Sequence, residues 1–300
     1  VVSSFSFHVP DDTVSLDMLK LLRKSTSSRK TRLAGRLLIT DSKKAYTRSK
    51  GTRDLERAVL SFLRLQEISP GSLSELLAEL APDCRRRYDA YPWYKKIADH
   101  KIESNTPDIS LASSVLSEDM GKNGMSFKGF HCRCLDAGHY NRIVEATDNK
   151  STVLFTTTCS LIKYVCDRFL KDHDIQIIAD RQGGKTRYRR DLMRMFPSMD
   201  LKVLKETDVT SSYEMNAGQH TLKIHFAVKA DTKFLPAALA SMAGKYLREL
   251  LMENINDHFL QYKPEIKRTA GYWKDGLRFI EDIRKVPEIS FSDTMLIRSR

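Results

Sequence analysis

The stretch from Thr221 to Glu253 constrains the fold of this chain more than any other. Thr221-Leu222-Lys223-Ile224-His225-Phe226-Ala227-Val228 alternates polar and apolar residues, the period of a strand with one buried face. That strand delivers Asp231 at its end. Pro236 then suits the first turn of a helix, where its missing N–H costs nothing. Leu239, Met242, Ala243, Tyr246, Leu247, Leu250 and Leu251 recur at helical spacing as a wide apolar stripe, with Lys245, Arg248 and Glu249 largely on the other side. Small residues let such a helix lie close to a sheet, and the acid is held where a cation could bind.

A second strand end carries the same chemistry. Ile175-Gln176-Ile177-Ile178-Ala179-Asp180, followed by Gly183-Gly184, reads as a buried strand with an acid at its carboxyl end. Val1 to Val9, Gly129 to Asp136, Leu201 to Glu206 and Ser212 to Met215 read as further strands. Asp17 to Lys24 is expected to be helical, with Leu16, Leu19 and Leu22 on one side. Leu55 to Leu65, Leu73 to Leu80, Val153 to Leu170 and Asp275 to Ile283 are the other expected helices. Ser104 to Lys128, rich in Asn, Asp, Ser and Gly, reads as a linker, and the residues after Val286 as a loose tail. The fold class is α/β.

The 300 residues carry 50 Lys and Arg against 38 Asp and Glu, a net charge of +12 that favours polyanionic partners, chiefly nucleic acid. Five Cys without a disulfide-like spacing point to a reducing, cytoplasmic compartment. No apolar run approaches the ~20 residues a membrane span needs. His131, Cys132 and Cys134 suggest zinc, but neighbours in a strand point to opposite faces and no second pair lies at zinc spacing. Arg23 to Arg36 reads as a solvated loop. Cys84-Arg85-Arg86-Arg87 beside Tyr91-Pro92-Trp93-Tyr94 is either a nucleic-acid surface or the aromatic core of an inserted helical region. Lys185, Arg187, Arg189 and Arg190 follow Asp180 and are expected to face phosphates.

Four ordered motifs resemble the ribonuclease HII (type 2 ribonuclease H) family. They are Asp41-Ser42-Lys43-Lys44, Ile178-Ala179-Asp180, Asp231 with Ser241, Lys245 and Arg248, and Gly271-Tyr272. Glu249 stands where the family has Asp, and Arg181 where it has Gly. The resemblance implies a ribonuclease H-like mixed sheet flanked by helices. Residues 1–50 would begin that domain without its first strand, 51–128 would be an inserted helical region and linker, 129–286 the remainder, and 287–300 a tail. Val1-Val2 looks like the family's second strand, so the chain is expected to be N-terminally incomplete, without the Asp-Glu turn that carries two further acids, and nearly inactive alone.

The activity implied is metal-dependent endonucleolytic hydrolysis of the RNA strand of RNA–DNA hybrids, or at ribonucleotides embedded in DNA. Asp180 and Asp231 would be the catalytic acids, holding two Mg²⁺ or Mn²⁺ ions. Lys43, Lys44, Ser241, Lys245, Arg248, Tyr272, Lys185 and Arg187 would bind the nucleic acid, Tyr272 near the 2′-OH. Glu206 is a second-choice acid. A monomer is expected. The alternative is a non-catalytic nucleic-acid-binding protein on the same scaffold.

Overall fold

The computed structural model describes residues 1–10, 17–47 and 51–299, with Ala217 described by its backbone alone; Leu16 of the first expected helix lies outside them. Among the described residues three short sheets and twelve α-helices make up a mixed α/β arrangement. In chain order the strands are β1 (Val2–His8), β2 (Thr26–Ser27), β3 (Leu37–Leu38), β4 (Ser126–Arg133), β5 (Ile175–Asp180), β6 (Asp200–Glu206), β7 (Thr210–Ala217) and β8 (His220–Ala227). The first six helices are α1 (Met18–Leu21), α2 (Ser42–Ala45), α3 (Arg53–Arg64), α4 (Leu73–Leu80), α5 (Pro82–Tyr88) and α6 (Pro107–Lys122). The rest are α7 (Ala137–Thr147), α8 (Lys150–Phe169), α9 (Arg189–Met195), α10 (Leu235–Leu260), α11 (Trp273–Arg284) and α12 (Asp293–Leu296).

The largest sheet runs β5-β8-β7-β6, with β5 and β8 parallel and the other pairs antiparallel. On one of its faces Leu222, Ile224 and Phe226 pack with Phe155, Cys159 and Ile162 of α8. Tyr188 stacks on Phe226 at 3.8 Å between ring centres. On the other face Ile178 meets Ala230 and Ala237, at the foot of α10. The period-2 pattern read in Thr221–Val228 is thus satisfied by α8, and α10 crosses the opposite side.

The larger core lies between α10, α3 and the β1-β4 pair. Phe5 stacks on Phe130 at 4.3 Å and Phe62 meets both Phe5 and Phe7 edge-on. Tyr88, Tyr91, Trp93 and Tyr94 are buried in this core, Trp93 lying 5.9 Å from Phe259 of α10. Those aromatics are therefore packing residues. Of the neighbouring arginines, Arg87 pairs with the buried Asp136 at 2.9 Å and Arg85 with Asp89.

Two segments differ from their sequence reading, and a third, given no element there, is helical. The expected linker 104–128 contains the 16-residue α6, capped by Thr106, whose hydroxyl accepts from the Ile109 N–H, and opened by Pro107. Its Ile109, Ala112, Leu116 and Met120 lie buried at helical spacing, and the polar residues that suggested a loop occupy the rest. Even Asp119 is inward, accepting from Ser25 N–H and Oγ at 3.0 and 2.8 Å. The segment 137–147 is a helix capped by Asp136, which accepts from the His139 N–H at 2.7 Å. The tail after Val286 includes α12, and Ile289, Phe291, Met295 and Leu296 pack on the larger core. All five cysteines are buried and unpaired. Among the described residues no helix is long and apolar enough to cross a membrane.

Candidate functional site

The parallel pairing of β5 with β8 is what brings the two acids together. Asp180, the last residue of β5, is in register with Ala227, and the chain after β8 turns through Ala230–Thr232, where Asp231 lies. Asp180 Oδ1 accepts from the backbone N–H of Ala230 at 2.9 Å, which ties one acid to the residue preceding the other. Burial raises the Asp231 carboxyl above the usual carboxylate range, and the negative charges of Asp41 and Asp180 raise it further. A hydrogen bond with Ser241 opposes that rise.

Asp41 is the residue sequence reasoning undervalued. It caps α2, accepting from the Lys43 N–H at 2.8 Å. One carboxyl oxygen serves that cap, and the charge is felt at Asp231. The signal was present, since Leu37-Leu38-Ile39-Thr40-Asp41 is itself an apolar run ending in an acid, as at Asp180.

The motif carried by α2 meets α10 directly. Ser241 Oγ donates to Ser42 Oγ at 3.0 Å. One helical turn on, Lys245 Nζ lies 2.7 Å from Glu249 Oε1 and 4.4 Å from the centre of the Tyr46 ring. Arg248 bonds Glu249 at 2.8 Å, donates to the carbonyl of Ala270, and holds its guanidinium 4.8 Å from the centre of the Tyr272 ring. Gly271 has φ +70°, a left-handed conformation, and a Cβ there would stand 3.0 Å from Met252 and 3.3 Å from Arg248. This glycine lets the chain pass close to Arg248 and present Tyr272, which is 60% exposed, beside Trp273, 51% exposed. Lys43 and Lys44 are exposed on α2. Contacts of Ser241, Lys245 and Arg248 thus link α10 to the 41–46 segment, to Asp231 and to the 270–273 segment.

Lys185 and Arg187 stand apart from these contacts. Lys185 pairs with Asp191 and lies over the rings of Phe155 and Tyr188, on the α8 side of the sheet. Its charge is already matched. Arg187 is mostly exposed, 4.0 Å from Glu206. Glu206 accepts from the buried Tyr213 hydroxyl, which gives it a structural partner. Arg181 donates to the carbonyls of Thr207 and Asp208 at 2.7 and 2.6 Å, pinning the β6–β7 turn against the end of β5. That explains an arginine after the strand-end acid, with the left-handed Gly183 two residues further on. His131 faces α8, stacked on Tyr164 at 4.3 Å, whereas Cys132 is buried in the larger core.

Asp41, Asp180 and Asp231 offer the hard oxygen donors that Mg²⁺ and Mn²⁺ prefer. The donor set fits those ions in kind. In number it is short, since among the described residues no group of three or more His, Cys, Asp or Glu side chains is arranged to hold a metal ion. What the fold and this surface define is a mixed α/β protein with carboxylates at the carboxyl end of a parallel strand pair, next to a lysine–arginine–tyrosine surface. No family model matches the chain, nor does any curated protein or solved structure.

Proposed function

We propose that this protein is a metal-dependent nuclease of the ribonuclease H type, acting on the RNA strand of RNA–DNA hybrids or at ribonucleotides embedded in DNA. One observation carries the reading: the Asp180–Ala230 hydrogen bond and the Ser241–Ser42 hydrogen bond draw motifs separated by up to 199 residues of sequence onto one surface. Bound divalent cations would supply charge neutralisation at the scissile phosphate and activation of water. Asp180 and Asp231, with Asp41 beside them, are the residues that would hold them. The carboxyl of Asp231 is raised first by burial and then by the charges of Asp41 and Asp180, and a bound cation would relieve that second part.

The remaining residues bind and orient. Lys43 and Lys44 present ammonium groups to backbone phosphate. Glu249 holds Lys245 and Arg248 in place, so their outward N–H groups meet phosphate in a fixed geometry. Tyr272, backed by the Arg248 guanidinium, offers an exposed ring and hydroxyl where a base or a 2′-OH could be read. Five unpaired cysteines accord with a reducing, cytoplasmic setting.

The test is fluorescence anisotropy and cleavage with a labelled RNA–DNA hybrid, in Mg²⁺ or Mn²⁺ and in chelator. The hybrid is expected to bind more tightly than the DNA duplex and more tightly with metal. Asp180→Asn and Asp231→Asn should remove the metal dependence and cut any RNA-strand cleavage by about 10²-fold or more. Lys245→Ala with Arg248→Ala should weaken binding and reduce the salt slope by roughly 2. Salt-dependent binding that ignores metal and survives Asp180→Asn would leave only the non-catalytic binding protein.

A further inference from the structure

In the sequence Cys134 groups with His131 and Cys132; in the fold it meets Cys84. Cys84 lies in α5, and Cys134 follows directly on β4, 50 residues further along the chain. Cys84 Sγ accepts from the Cys134 backbone N–H at 3.0 Å. A sulfur held against the backbone of a second cysteine is close enough for the two side chains to react.

The frame around the pair is rigid. Arg87, one turn of α5 after Cys84, donates to the Cys134 carbonyl at 2.8 Å and to Asp136 at 2.9 Å. Asp136 accepts in turn from the Tyr91 hydroxyl and from the His139 N–H. These bonds tie α5, the end of β4 and the start of α7 together around the two sulfurs.

The pair is also reachable. Each cysteine is only 1% exposed, yet both line a cavity of about 210 Å³ that opens to solvent between α5, α7 and α8. Arg87, Arg133 and His139 share its wall. A space of that size admits a water-sized molecule, and cationic side chains beside a thiol favour its reactive thiolate form.

The two sulfurs are unequal. Contact with the Cys134 thiol holds the Cys84 thiol below its ordinary range against the opposing effect of burial, and the Cys134 N–H and the Arg87 cation lower it further. Cys134 is raised, first by that same contact and then by burial. Burial raises Cys132 and Cys159 to about 12 and Cys166 to about 11, which leaves those three as inert thiols.

We propose that Cys84 and Cys134 form a redox-reactive pair, in which Cys84 is the nucleophile toward hydrogen peroxide and Cys134 the thiol that resolves it to a disulfide. The Cys84 thiolate attacks one peroxide oxygen: an S–O bond forms, the O–O bond breaks, and hydroxide leaves and takes up the proton that Cys84 had lost. Sulfur is thereby oxidised by two electrons and the peroxide reduced. Cys134 then attacks the Cys84 sulfur: an S–S bond forms, the S–O bond breaks, and hydroxide departs as water with the Cys134 proton. Two thiols and one peroxide become one disulfide and two waters. A dithiol reductant reverses the bridge, as suits a compartment where disulfides are transient. The pair stands whether or not the protein is a nuclease.

The test treats the reduced 300-residue chain with hydrogen peroxide and stops the reaction with catalase. The intact mass should fall by about 2 Da, and dithiothreitol should restore it. Peptide maps should place the bridge between Cys84 and Cys134, formed about tenfold or more faster than any change at Cys132, Cys159 or Cys166. In Cys134→Ser, dimedone should trap a sulfenic acid at Cys84. No bridge, a bridge to another cysteine, equal oxidation of all five, or a bridge that forms only once urea has unfolded the chain would each overturn the pair. The unsubstituted chain decides this even where a variant does not fold. A folded Cys134→Ser with no sulfenic acid at Cys84 would overturn Cys84 as the nucleophile.

Discussion

Removing one hydroxyl on α10 should show how firmly the helices of residues 53–122 are tied to the sheet-covering helix. Tyr246 is fully buried, and its hydroxyl donates to Glu56 Oε2 at 2.9 Å, in the first turn of α3. Burial raises the Glu56 carboxyl above its ordinary range, Glu103 adds to the rise, and the Tyr246 bond opposes it. Tyr246→Phe keeps the ring but leaves a half-buried carboxylate without that donor. At neutral pH the cost should be ~2 kcal/mol, within the range for a buried acceptor stripped of its partner. For a chain of this length that corresponds to a fall in Tm of about 3 °C.

The pH dependence identifies the cause. A carboxyl with a raised folded pKa favours the fold at low pH and loses that contribution as pH rises through the folded value. Without the hydroxyl Glu56 should rise further, so the variant's deficit should be largest near pH 7.5 and shrink toward ~1 kcal/mol near pH 4.5, where the carboxyl is protonated. Scanning calorimetry of Tyr246→Phe at both pH values, and in a Glu56→Gln background, makes the measurement. A deficit that is the same at both pH values and undiminished in Glu56→Gln would refute the reasoning and leave only lost packing.

Two further outcomes follow from the same geometry. Burial, then the Arg133 cation, lowers His131 to about 4, so this histidine is neutral in the fold, accepting from Arg133 at 2.6 Å. A base with a depressed folded pKa costs stability as pH falls from its unfolded value of 6.5 toward about 4. His131→Phe, which keeps a ring against Tyr164, should therefore flatten that limb by ~1–2 kcal/mol in acid denaturation; an unchanged limb would place the titration elsewhere. Gly244→Ala should raise stability by ~0.5–1 kcal/mol in thermal melts, because the new methyl meets Ser3 Oγ and the Val1 carbonyl only at an ordinary 3.5 Å. A loss would mean that helix and strand lie closer than this.

The strand-end acids were legible because the signal is local: an apolar run ending in Asp marks the carboxyl edge of a sheet, as at Asp180 and near Asp231. The same pattern at Asp41 was read through its Ser-Lys-Lys neighbours instead. α6 was missed because Ser and Asp interrupt its apolar spacing, and nothing nearby in sequence shows that Asp119 is satisfied by Ser25, 94 residues away. Ion pairing hid in the same way. Lys185 read as a phosphate ligand until the turn before α9 placed Asp191 beside it. Strand order and the two separate cores are properties of tertiary pairing, and no local period encodes them.

α10 also sets the order in which the molecule can be assembled. The core beneath α8 draws on residues 155–226, a contiguous stretch, so it can collapse as soon as that stretch leaves the ribosome. The larger core needs Phe5, Phe62 and Phe130 together with Leu239, Tyr246 and Phe259, so most of the chain must be synthesised before its first residues find their final neighbours. Until then β1 and its aromatic residues wait without their cover, and that interval is when this chain should lean hardest on chaperones.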